Sequence, residues 1–236
     1  MSTNNQSEYL DKLVEYLIIN NVNLINNGLY HGKMGIVICL CEYARYINDD
    51  IYLDLAGDLL DEIISKIDMH MPINYENGLC GIGWGIEYLI RQKYMFGNSD
   101  EILEELDARV MQIDIDRMVD FSVETGLGGI ALYMIARITA KDRIAGNAIP
   151  FDLKYLESWR LLLSIGLSKG KYPNVVQETF VKLLNLLRAL PYISKEQMNF
   201  PSFIYLGDLK KLGYTPLSFI PKGLDGGIAG MVLQMM

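Results

Sequence analysis

The fold is decided by a stretch that occurs twice, as Gly28-Leu29-Tyr30-His31-Gly32-Lys33-Met34-Gly35-Ile36 and as Gly78-Leu79-Cys80-Gly81-Ile82-Gly83-Trp84-Gly85-Ile86. Shorter copies of its Gly-Leu start follow at Gly126 and Gly223. The steps between the four starts are 50, 48 and 97 residues, and the last step is two periods of about 49 residues. The sequence therefore predicts a repeat, with a degenerate copy that begins near Asn174.

The segments between these starts have the apolar period of α-helices, with two helices in each repeat. Apolar residues at helical spacing precede the first start, precede the second start and fill the degenerate copy. They are Leu10, Leu13, Val14, Leu17 and Ile18; Leu55, Leu59, Ile63, Ile64 and Ile67; and Val176, Phe180, Val181, Leu184 and Leu187. The pattern predicts an all-α fold, with about five helical hairpins in a single domain over residues 1–236.

Glycine provides a positive φ at a helix C-terminus, and it also lets two backbones approach closely. A Gly-rich turn that opens an apolar helix therefore favours an inner ring of crowded helices, and the charged helices between them favour an outer ring. We expect an α/α toroid or an open arc of one. An open solenoid of helix pairs is the alternative.

The composition limits the classes of function. Lys and Arg number 21 against 29 Asp and Glu, the net charge is −8, and no basic run is present, which argues against nucleic-acid binding. The N-terminus lacks a signal-peptide pattern, and no stretch is long and apolar enough to span a membrane. The three cysteines, Cys39, Cys41 and Cys80, are odd in number and indicate reduced thiols. We expect a cytoplasmic protein that binds neither nucleic acid nor membrane.

The repeat, together with GLYHGKMG at residues 28–35 and GLCGIGWG at residues 78–85, resembles the lanthionine synthetase C-like (LanC-like) family. The resemblance implies an α/α toroid whose inner helices open with Gly-rich motifs. Enzymes of that family close thioether rings in dehydrated ribosomal peptides. A zinc ion held by two cysteines and a histidine activates a peptide cysteine for addition to dehydroalanine or dehydrobutyrine. The resemblance therefore implies a peptide substrate and a role in lanthipeptide-type maturation.

The family's zinc ligands lie in a Trp-Cys-Tyr-Gly motif and, one repeat later, in a Cys-His-Gly motif. Tyr30-His31-Gly32 resembles the second motif with its cysteine replaced, and Cys80-Gly81 keeps a cysteine at the aligned position. Asp225 is another potential ligand at that register. The resemblance thus implies a degenerate metal site at His31 and Cys80, with either zinc or no cofactor. In the simpler interpretation His31 is a turn histidine, and Cys80 is a packed core residue.

Two hypotheses follow from the resemblance. In a cyclase the candidate catalytic residues are His31, Tyr30 and Asp225, and Trp84 binds the substrate near the mouth of the toroid. In a non-catalytic relative the toroid binds a peptide or partner protein. Its ring is then completed by another chain, as in a homo-oligomer, because the sequence stops at Met236 within its last helix.

A third hypothesis belongs to a different class of enzyme. Glu76 and Glu124 both lie two residues before a Gly-Leu start, on neighbouring repeats. Packed helices lie about 8 to 10 Å apart, which would space the two carboxylates as in an inverting glycosidase. The pair is therefore a candidate for substrate binding and glycoside hydrolysis. The alternative is that each glutamate lies in a solvated turn.

Overall fold

The structure is a computed structural model that describes residues 3–21, 24–140, 149–190, 209 and 217–236. Within these residues it contains ten α-helices and no strand, which confirms the all-α prediction. The helices are α1 (Thr3–Asn20), α2 (Lys33–Ile47), α3 (Ile51–Ser65), α4 (Leu79–Arg91), α5 (Ser99–Ile102), α6 (Glu104–Met111), α7 (Leu127–Ile138), α8 (Leu153–Ser168), α9 (Asn174–Ala189) and α10 (Ile228–Met235). Short 3-10 helices lie at Ile115–Arg117 and Leu217–Phe219.

The chain divides into two compact units, and the first consists of residues 1–67 and 200–236. In this unit α2 packs against α3, and α10 packs against both α1 and α2. Polar contacts tie the helices together: the Tyr43 hydroxyl donates to Asp11 Oδ1 at 2.6 Å, and Lys33 Nζ donates to Glu62 Oε1 at 2.6 Å. The helix nearest the C-terminus therefore shares a core with the helices nearest the N-terminus.

The second unit consists of residues 68–199. Here α7 packs against α4 and α9, α8 packs against α9, and the short helices α5 and α6 lie against α4. Its core includes the fully buried Trp159 and Phe180. Helix α9 begins at Asn174, as predicted for the degenerate copy.

Two kinds of helix differ in burial, in agreement with the predicted inner and outer positions. The helices that follow a glycine turn are buried almost all round; in α7, for example, every residue except Leu132 is buried. Helix α3 buries one side, formed by Ala56, Leu59, Leu60 and Ile63. Within the apolar stripes that indicated helices, Leu55, Ile64 and Val181 are 36%, 41% and 44% exposed and lie outside the buried face.

The buried helices α2, α4, α7 and α10 all begin with the same backbone arrangement. In each one the first helical N–H donates to the carbonyl oxygen six residues before the N-cap, at 2.8 to 3.0 Å. The N-cap and the third helical residue are both glycine. These pairs are Gly32 and Gly35, Gly78 and Gly81, Gly126 and Gly129, and Gly227 and Gly230.

These hydrogen bonds show that the alignment of the repeat copies was wrong by four residues in the first copy and in the last copy. Gly32, rather than Gly28, corresponds to Gly78, and the equivalent residue before α10 is Gly227. The expected positive φ is also wrong for these glycines, since φ is −113° at Gly78. They are required instead for close approach: a Cβ on Gly126 would lie 2.5 Å from the Asp120 carbonyl oxygen.

Candidate functional site

The turns that precede α2 and α10 pack against each other in the first unit. The Asp225 N–H donates to the Tyr30 carbonyl oxygen at 3.1 Å. A Cβ on Gly223 would lie only 2.6 Å from His31 Cα, so the two backbones are in direct contact. Backbone packing thus brings together the three predicted catalytic residues, Tyr30, His31 and Asp225. We call residues 28–32 and 223–227 the α2–α10 turn pair.

Within this turn pair the side chains differ in accessibility. Tyr30 is buried, whereas His31 and Asp225 are half-buried. The Tyr30 ring meets the His31 ring edge-on, with centroids 6.2 Å apart and an interplanar angle of 82°. A half-buried imidazole keeps part of its surface available to a bound molecule, with which it could exchange a proton.

The second unit contains an equivalent turn pair before α4 and α7. The N–H groups of Tyr75 and Glu76 both donate to the Glu124 carbonyl oxygen, at 3.0 and 3.1 Å. Glu76 and Glu124 each lie two residues before an N-cap, and Asp225 and Tyr30 hold the same positions in the first unit. An equivalent backbone hydrogen bond therefore joins two turns in each unit.

The third helical glycine explains how neighbouring turns come so close. A Cβ on Gly129 would lie 2.5 Å from Tyr75 Cβ, and a Cβ on Gly35 would lie 2.8 Å from Leu224 Cγ. Tyr75 and Leu224 hold equivalent positions, three residues before an N-cap. In α2 and α7 the glycine pair thus allows close packing both within the helix's own turn and against the adjoining one.

Glu76 and Glu124 have adjoining backbones, but their carboxylates have different surroundings. Glu76 is half-buried, and its Oε1 accepts a hydrogen bond from Asn77 Nδ2 at 3.0 Å. Glu124 is exposed. Their role as a glycosidase pair stays a prediction, which substitution of each by Gln would test.

Trp84 lies in the core of the second unit, and 3% of it is exposed. It stacks on Tyr88 with ring centroids 5.4 Å apart and meets Tyr75 edge-on at 6.1 Å. Its predicted contact with substrate stays a prediction. In the structure its ring packs against Tyr75, in the turn before α4.

Cys80 lies in the first turn of α4 and is fully buried. Burial raises the pKa of its thiol well above the usual range, and the negative charge of Asp107 raises it further. The four-residue shift in register makes Met34, rather than Tyr30, its counterpart in α2. Cys39 and Cys41 are also buried, and burial raises the pKa of Cys41 to about 12.

Comparison with known protein families matches residues 24–158 to the lanthionine synthetase C-like proteins. The matched region is more than half of the 236 residues and includes the glycine turns of α2, α4 and α7. The chain belongs to the LanC-like family. No curated protein and no solved structure matches it. Among the described residues of this LanC-like chain, no helix has the length and apolar character to cross a membrane.

The described residues do not fit the zinc site that family membership implies. A thiolate is the form of cysteine that binds zinc, and the surroundings of Cys80 hold it as a neutral thiol. Across the described ranges no three His, Cys, Asp or Glu side chains form a group that could hold a metal ion. The two potential ligands that do lie together, His31 and Asp225, are an imidazole and a carboxylate without a cysteine.

The sequence analysis missed a buried ionic cluster in the second unit. Arg137 is fully buried; its Nη2 lies 2.6 Å from Asp107 Oδ2 and 3.0 Å from Asp100 Oδ1, and its Nη1 pairs with Glu87. The Tyr133 hydroxyl donates to Asp107 at 2.6 Å. Burial alone would lower the pKa of Arg137, but its hydrogen bonds with Asp107 raise it overall, so the guanidinium stays charged.

This cluster joins α4, α5, α6 and α7, the helices around the second turn pair. It therefore positions α4 and α7 rather than contacting a ligand. A sequence signal was available, because Glu87 and Arg137 are single charged residues within otherwise apolar helical segments. Such residues are seldom buried unless they are paired.

Proposed function

We propose that this LanC-like protein takes part in the maturation of a ribosomally made, lanthipeptide-type peptide, which binds at the α2–α10 turn pair. The hydrogen bond from the Asp225 N–H to the Tyr30 carbonyl carries the proposal. It joins the turns that carry the half-buried imidazole of His31 and the half-buried carboxylate of Asp225, which come from distant parts of the sequence. Family membership supports a peptide as the substrate class.

In the proposed reaction His31 moves the proton. The thiol of a peptide cysteine gives its proton to the imidazole, and the sulfur forms a bond to the β-carbon of a dehydrated residue. The C=C π bond breaks, and the α-carbon takes the proton from the imidazolium. We assign Asp225, in the adjoining turn, a contact with the bound peptide. No redox partner is needed, because addition of a thiol to a double bond balances by itself.

The proposal includes the α/α toroid of about five hairpins, each of roughly 49 residues, that family membership implies. It is supported by the repeated backbone contact. The contact from Glu76 to Glu124 joins successive turns, and the one from Asp225 to Tyr30 joins a turn near the C-terminus to a turn near the N-terminus.

The experiment uses a synthetic peptide that contains one cysteine and one dehydroalanine. Binding is measured by fluorescence anisotropy, and ring closure by loss of free thiol with formation of the thioether in mass spectrometry. We expect His31→Gln to retain binding and to slow ring closure by about 10²-fold or more, the usual contribution of a general acid–base group. Asp225→Asn should slow ring closure less.

The second histidine of the chain provides a matched control. His70 is on the surface beside Asp68, and His70→Gln should change neither binding nor ring closure. Failure of the wild-type protein to bind the peptide would overturn the proposed function. Binding without ring closure by the wild type would reject the proton-transfer role and leave the peptide-binding alternative.

A further inference from the structure

Helix α3 presents an acidic face with exposed apolar side chains. Residues 49–68 contain seven acidic residues and one basic residue. Ile51 and Leu55 are 57% and 36% exposed, and Asp54 and Asp58 are exposed beside them. Helical spacing places these four residues on one side of α3. We call them the acidic α3 face.

Helix α8 presents a face of the opposite character. Residues 152–190 contain six basic and three acidic residues, although the whole chain carries −8. Exposed apolar and basic residues follow one side of the helix: Leu153, Lys154, Arg160, Leu161 and Ile165. We call them the basic α8 face. Glu157 lies on the same side, 3.6 Å from Arg160, and offsets part of its charge.

We propose that the acidic α3 face of one molecule docks on the basic α8 face of a second copy of the same chain. Opposite charges favour this pairing, whereas pairing of two α3 faces would bring like charges together. The apolar side chains on both faces provide surface to bury on contact. Because the two faces differ, each molecule of a docked pair keeps one face free for a further copy.

An ordinary solvated helix surface would explain the exposed charges of α3 and α8 but not all of their exposed apolar side chains. Asp54 lies in the first turn of α3, where a negative charge stabilises the helix, and outer helices ordinarily carry charges. That explanation does not account for Leu153 and Leu161, which are 80% and 63% exposed on the basic face. Exposed apolar side chains among charges that are mainly basic on one helix and acidic on the other suit a pair of docking surfaces.

Sedimentation velocity of the full chain over a range of concentrations tests the proposal. We expect association that strengthens with protein concentration and weakens from low to high salt, since exposed charges are screened. Lys154→Glu with Arg160→Glu, and separately Asp54→Lys with Asp58→Lys, should each weaken association at least tenfold. An equimolar mixture of the two double variants should associate again, because their reversed faces match.

Two further variants separate docking from general effects. Lys12→Glu with Lys93→Glu gives the same change in net charge on other exposed residues, and it should leave association unchanged. Leu161→Ser removes an exposed apolar contact without altering charge and should weaken association. Circular dichroism verifies folding. A wild-type protein that remains monomeric at low salt, or double variants whose mixture does not associate, would overturn the proposal.

Discussion

Gly78 has no side chain because the Pro72 carbonyl oxygen lies where a Cβ would be. That oxygen accepts the first N–H of α4, so it cannot move away without breaking a hydrogen bond. We predict that Gly78→Ala lowers the free energy of unfolding by about 2 kcal/mol or more, as overpacking of a rigid site does. Urea unfolding followed by circular dichroism measures it.

Gly57 is the matched control, since it lies within α3 and a Cβ there would have no neighbour within 4 Å. Gly57→Ala should raise the free energy of unfolding by about 0.5 to 1 kcal/mol, because alanine has the higher helix propensity. Two alanine variants that shift stability in the same direction would contradict this account of the glycine turns.

The Cys80 thiol gives a second prediction at the scale of one residue. Burial and the nearby Asp107 raise its pKa, so it should stay protonated and inaccessible as the solution is brought from pH 7 to pH 9. We expect iodoacetamide to leave Cys80 unmodified in the native protein over this range and to modify all three cysteines in urea. Peptide mass mapping identifies the sites. Alkylation of native Cys80 that increases with pH would show an accessible thiolate.

The candidate site could be predicted from sequence in part. The glycine turns drew attention to His31 and Asp225, and packing of two backbones unites them. The alignment of Tyr30 with Cys80 was wrong in register, because Gly28 and Gly32 are both glycines and only the hydrogen bonds show which one caps α2. The spacing within each glycine pair was the better guide to where a buried helix begins, since all four buried helices have it.

At the scale of helices, Arg137 provides the charge that lets two buried carboxylates lie between α4 and α6. We predict that Arg137→Met lowers the free energy of unfolding by about 3 to 5 kcal/mol, because Glu87 and Asp107 would remain buried without their cation. A triple variant that adds Glu87→Gln and Asp107→Asn should recover more than half of the loss. Urea unfolding measures all three proteins.

An exposed arginine serves as the control for that substitution. Arg117 pairs with Asp114 but its side chain is 88% exposed, so Arg117→Met should change stability by no more than about 0.5 kcal/mol. Equal losses from the two arginine variants would argue against a special role for the buried cluster.

The order of helices was easier to predict than the contacts between them. The degenerate copy was located at α9 because its apolar residues follow helical spacing. The short helices α5 and α6 were not foreseen as separate elements. They are connected to the core by Arg137, whose side chain contacts Ser99, Asp100 and Asp107, and no local pattern reveals a contact over that sequence distance.

At the scale of the whole molecule, sequence period predicts one domain, whereas the structure contains two compact units. Two of the third helical glycines, Gly35 in the first unit and Gly129 in the second, offer equivalent probes. Alanine at position 35 would crowd Leu224 and the Leu29 carbonyl, and alanine at position 129 would crowd Tyr75 and the Val123 carbonyl.

We predict that each substitution lowers the stability of the unit that contains it. The clashes of Gly35→Ala lie within the first unit and those of Gly129→Ala within the second, and proteins open in cooperative parts. In hydrogen exchange measured by mass spectrometry, Gly35→Ala should speed exchange in α1, α2 and α10 and leave α4 and α7 protected. Gly129→Ala should have the reverse effect. Faster exchange in both units from either substitution would instead indicate one cooperative domain, as the repeat period predicts.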